Sequence, residues 1–143
     1  MKPVNFHSAA RRHFQDAELL WANTREANAG HLYGFVAECG IKALLVSSGL
    51  QVDASGDILK RDPFRLHADK LSGQINQVHN FLQGRTSVKY LAQVPDIGHF
   101  SDWSTDHRYY DESALPPSTA KWRSAAQQVM SMLDQAKIDG VIL

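Results

Sequence analysis

"NAGHLYGFVAECGIKALLVSSG", residues 28–49, is the longest apolar stretch of the chain. Its apolar residues run nearly all round a helical wheel, the mark of a helix enclosed by others. The spacing predicts a helix from near Ala29 to Gly49, a residue suited to the left-handed conformation that closes helices. Within it, His31, Glu38 and Lys42 lie close to one line along the helix. Glu38 stands four residues before Lys42, the favourable order for an ion pair. An unpaired carboxylate in apolar surroundings is costly, so Glu38 is expected to pair with Lys42 or with a third partner such as Arg11 or Arg108. The alternative role for these polar groups is a pocket wall between helices. Gly34, Ala37 and Gly40 leave room for close approach by a neighbouring helix or a second copy of the chain.

Upstream, Phe6, Ala10, Phe14, Ala17, Leu20 and Trp21 form one apolar stripe, which predicts a long amphipathic helix with Asn5 as its cap. Downstream, residues 50–62 mix Asp, Ser and Gly and read as a loop ending at Asp62 and Pro63. The stripe Phe64, Ala68, Leu71, Ile75, Val78, Leu82 then predicts a third helix ended by Gly84. "TSVKYLAQV", residues 86–94, suggests a short fourth helix. Residues 95–117 are aromatic, polar and proline-bounded, too long for a simple connection, and so read as functional or as a structured loop. Ser118 or Thr119 caps a final helix carrying Trp122, Ala126, Val129, Leu133 and Ala136, with Gly140 beyond its end. No run alternates convincingly as a strand would. The expectation is an all-α fold, an up-and-down four- to five-helix bundle, as a single domain over residues 1–143.

With 43% apolar and 21% charged residues, a chain of 143 residues can bury a core without metals or disulfides. Cys39 is the only cysteine, which removes internal disulfides and zinc sites built on several thiolates, and points to a reducing, cytoplasmic setting. The N-terminal stretch turns polar before a signal-peptide core forms, and no uninterrupted apolar run reaches membrane-spanning length. Fifteen basic side chains balance fifteen acidic ones, so the electrostatic excess of a tight, sequence-independent nucleic-acid binder is missing.

"HFQDAELL", residues 13–20, followed by "NAGHLYGFVAECGIKALL", resembles the opening helix pair of HEPN domains, the higher eukaryotes and prokaryotes nucleotide-binding domains. "AECGIKALL", residues 37–45, carries the closest likeness; "LHADKL" from Leu66 and "RYY" from Arg108 resemble weaker family features. The resemblance implies a helical bundle, commonly a homodimer. It also implies one of two functions: a noncatalytic module binding nucleotide or a protein partner in a prokaryotic defence or toxin–antitoxin setting, or a metal-independent endoribonuclease toxin acting on RNA with an Arg and His pair across the dimer. A third reading, an immunity-type interaction protein, rests on the long loop of residues 95–117, whose aromatic residues can bind a partner. In the ribonuclease members an Arg precedes a His by a few residues. There a ribose 2′-hydroxyl attacks the adjacent phosphate, His moves the proton, Arg holds the phosphate, and no metal or other cofactor is needed.

Two pairs have that spacing, Arg25 with His31 and Arg61 with His67, both earlier in the chain than the family's motif. With seven histidines and eight arginines, roughly one such pair is expected by chance, so spacing alone does not select either. Arg25 and His31 also suit a helix-to-helix turn, and Arg61 and His67 a loop-to-helix junction. The segment "HFSDWSTDHRYY", residues 99–110, offers another place for chemistry. Arg108 can grip a phosphate, Trp103, Tyr109 or Tyr110 can stack on a base, and His107 stands beside them. His99, Asp102, Asp106 and His107 match no metal-ligand spacing, and no metal is expected.

Overall fold

The computed structural model describes residues 3–142, which are helical throughout their ordered elements apart from one isolated bridge between Val52 and Ile58. Helix α1 spans Phe6–Ala22, and the Asn5 side chain caps it by accepting the Ser8 N–H at 2.9 Å. It ends in a two-bond cap: the Thr24 N–H donates to the Trp21 carbonyl and the Arg25 N–H to the Leu20 carbonyl. Glycine usually holds the left-handed position of such a cap, but here Thr24 does, with φ of +59°. The tight turn lets helix α2, Glu26–Ser47, begin ahead of the expected Ala29.

Helix α2 is the central element, as its apolar composition predicts, and every residue from Val36 to Leu45 is buried. By length and hydropathy it would suit a membrane span, yet 78% of that window lies inside this fold. Its small residues mark where other elements enter. A Cβ on Gly30 would meet the Trp122 ring, one on Gly34 the Trp103 indole, and one on Gly40 the Val129 side chain at 2.2 Å. The close approaches that the sequence allowed are therefore filled from within the same chain.

Helix α5, Thr119–Ile138, packs along α2 and antiparallel to α1. Arg123 bridges to Glu18 at 2.9 Å and Arg11 to Asp134 at 2.6 Å, which fixes the direction. Gly49 and Gly140 close α2 and α5 with φ of +105° and +78°, conformations that L side chains rarely take.

The third predicted helix is not continuous. Instead of running from Phe64 to Leu82, it divides into α3, Ala68–Gly73, and α4, Ile75–Leu82. Asp62 does not cap a helix: its carboxylate accepts the Phe64 N–H at 2.8 Å and its carbonyl the Arg65 N–H, forming a turn. Arg65 is then tied to Asp57 and to the Ile58 carbonyl. Phe64 remains buried, from a loop rather than from a helix. Residues Thr86–Gln93 form a 3₁₀ segment, pinned where the buried Tyr90 hydroxyl donates to Asp139 beyond α5. Residues 95–117 carry three short 3₁₀ segments, Ile97–Asp102, Thr105–Tyr109 and Glu112–Ala114, anchored by Phe100 and Trp103. This is a structured loop, one of the two readings its composition allowed.

Candidate functional site

The turn into α2 and the segment Thr105–Tyr109 are far apart in sequence and adjacent in space. Trp103 makes the junction. Its indole fills the gap left by Gly34, its Nε1 donates to the His31 carbonyl at 3.2 Å, and its ring stacks on the His31 imidazole with centroids 5.3 Å apart. The indole is buried, so the expectation that Trp103 stacks on a bound base is overturned; it is a core residue. What it builds instead is a cleft of about 480 Å³ lined by Arg25, His31, His107, Arg108 and Tyr110, with Glu26 and Glu112 among its other walls.

Two separate sequence candidates thus meet: the Arg25 and His31 pair, and the His107 and Arg108 pair. Among the described residues, neither Arg25 nor Arg108 has a carboxylate within ion-pair distance. Arg108 lies over the Tyr109 ring at 4.8 Å, free of the structural ion pair that was its other sequence reading. Tyr109 is well exposed but does not line the cleft; Tyr110 does, and its ring lies 5.3 Å from that of His107. His107 also stacks on Trp122, at 5.9 Å, which ties the cleft to α5.

Burial holds the His31 imidazole below its usual pKa of 6.5, and the nearby Arg108 guanidinium adds to the effect. His31 is therefore neutral at physiological pH, with its Nδ1 buried and, among the described residues, unpartnered. A phosphate in the cleft would meet two guanidinium groups and a neutral imidazole, a combination able to hold an anion and to exchange one proton. Thr24, in its strained conformation, is also part of the wall. Nothing in its sequence context marks it, because a threonine in a glycine position leaves no local signature.

The second Arg and His pair is not assembled. Arg61 is exposed and is not among the residues lining the groove of His67, which instead places Nδ1 2.9 Å from Glu38 Oε1. Glu38 Oε2 accepts from Lys42 Nζ at 2.9 Å, as the sequence order predicted. The third partner of Glu38 is thus His67, and neither Arg11 nor Arg108. These groups open onto a separate groove of about 500 Å³ shared with Val4, Phe6, Asp57, Arg65 and Leu66.

Among the described residues no three metal-ligating side chains converge. The Asp102 carboxylate is occupied by Trp122 Nε1 and the Ser118 hydroxyl. Burial pushes the Cys39 thiol up to about 12, leaving it protonated and unreactive. No family model, curated protein or solved structure matches the chain.

Proposed function

We propose that this chain is a HEPN-like helical module that binds a phosphate-bearing nucleotide in the cleft between the start of α2 and Thr105–Tyr109. The observation that carries the reading is the convergence of Arg25, His31, His107 and Arg108 on one cleft. Unpaired arginines grip phosphate with two parallel hydrogen bonds. Tyr110 supplies a face for a base, and Glu26 and Glu112 accept hydrogen bonds from base or ribose. A homodimer and a prokaryotic defence or toxin–antitoxin setting accompany the resemblance. Calorimetric titration with a panel of nucleotides tests the proposal: binding heat should appear for at least one and be lost in Arg108→Ala. Silence across the panel would turn the reading toward a protein partner.

A second reading, metal-independent cleavage of RNA, is favoured by one observation: two histidines share the cleft with both arginines. In that chemistry one imidazole takes the 2′-hydroxyl proton, the other protonates the leaving oxygen, and Arg25 and Arg108 hold the phosphate. Incubation with mixed RNA in EDTA decides it. Cleavage lost in His31→Ala or His107→Ala supports catalysis; intact RNA with wild-type protein leaves binding alone.

A further inference from the structure

The groove over Glu38 and Lys42 holds a second arrangement that nucleotide binding does not use. A carboxylate only accepts hydrogen bonds, so the 2.9 Å contact to Glu38 Oε1 places the His67 proton on Nδ1. Nε2 then carries the lone pair. Among the described residues it has no protein partner, and the His67 side chain, 60% exposed, lines the groove. Glu38 is itself buried and held from the other side by Lys42. A buried, fixed carboxylate behind one ring nitrogen orients an imidazole, selects its tautomer, and stabilises the positive charge that develops when the other nitrogen attacks.

The groove's chemistry also indicates what it takes. Glu38 with Lys42 and Asp57 with Arg65 satisfy each other, so the groove does not ask for an ionic ligand. Val4, Phe6 and Leu66 offer an apolar wall. Lys42 has three N–H donors and spends one on Glu38, leaving donors for a carbonyl oxygen at the groove. We propose that His67, positioned by Glu38, is a catalytic nucleophile toward small neutral carboxylic esters with apolar acyl chains.

The His67 Nε2 lone pair forms a bond to the ester carbonyl carbon, and the carbon–oxygen bond to the alcohol breaks, its electron pair leaving with the oxygen. Nδ1 keeps its proton, hydrogen-bonded to Glu38, so the acyl-imidazolium formed carries the positive charge that balances the departing alkoxide. Water then adds to the acyl carbon and gives one proton to the alkoxide. The carbon–nitrogen bond breaks, its electron pair returning to Nε2, and the carboxylic acid leaves.

The probe is p-nitrophenyl butyrate with the full chain. Wild-type protein should release p-nitrophenolate about 100-fold faster than His67→Ala. Added imidazole, after subtraction of its own hydrolysis of the ester without protein, should restore part of the variant's rate, which a merely structural histidine would not allow. Glu38→Gln should lower kcat about tenfold with KM unchanged. Mass spectrometry of quenched wild-type protein should find the butyryl group on His67. Equal rates for wild type and His67→Ala, or acylation elsewhere, overturn the proposal. Because the His67 side chain is largely exposed, its replacement tests the idea even where Glu38→Gln fails to fold.

Discussion

His31 and Trp103 face each other as stacked rings 5.3 Å apart, and the indole Nε1 hydrogen-bonds to the backbone carbonyl of that same histidine. This one relationship fastens the aromatic segment after Pro95 to the start of the central helix. It places His107 and Arg108 beside Arg25 and so creates the cleft.

The first prediction concerns that junction. A Cβ on Gly34 would lie 2.0 Å from Trp103 Cε2, so Gly34→Ala must push the indole out of its seat. Overpacking of a filled core costs about 1–3 kcal/mol, and Trp103→Ala, which leaves a cavity, about 3–5 kcal/mol. Urea denaturation should show both losses. An unchanged midpoint for Gly34→Ala would mean that the indole is not seated there.

A second prediction follows from the buried pair. Lys42→Met leaves the Glu38 carboxylate short of a counter-charge and should cost about 3 kcal/mol, since breaking a buried ion pair is worse than replacing it. Glu38→Leu combined with Lys42→Met should recover most of that loss. Simple additivity of the two single losses, measured by denaturant unfolding, would contradict the coupling.

A third concerns acid. Burial lowers the pKa values of His7, His13 and His31 from the usual 6.5. The unfolded chain then binds protons more readily than the folded one. Their stabilisation is complete above 6.5 and is lost as pH falls through the lowered folded-state values. Unfolding free energy should decline between about pH 7 and about pH 5.5, above most carboxylate titration, and less steeply in His31→Gln. A flat profile in that window would contradict the burial of these rings.

Thr24 gives a fourth. Its left-handed backbone stores about 1 kcal/mol that asparagine, more tolerant of that region, would relieve. Thr24→Asn should raise the melting temperature by about 3 °C, followed by circular dichroism. A lower melting temperature would show that the turn does not need this conformation.

Much of the fold is legible in the sequence because α1, α2 and α5 are long, periodic and closed by recognisable signals such as Asn5, Gly49 and Gly140. The third helix is misread because Phe64 continues the apolar spacing while Asp62 makes a turn instead of a cap. Periodicity records burial, and a buried loop residue carries the same signal as a helical one. The site is legible in parts. Arg25, His31, His107 and Arg108 are each identifiable, but their meeting is set by Trp103 entering the Gly34 gap, a contact between residues 69 positions apart. The same contact explains the error over Trp103, whose aromatic character suits stacking on a ligand and stacking in a core equally well.

The most direct test of the account is a double-mutant cycle on nucleotide binding, measured by calorimetry with wild type, Arg25→Ala, Arg108→Ala and the double variant. If both guanidinium groups grip one phosphate, each single replacement should weaken binding by roughly tenfold or more, and the two losses should be non-additive. Binding that ignores Arg25 while depending on Arg108, or that ignores both, would contradict a shared cleft as the site.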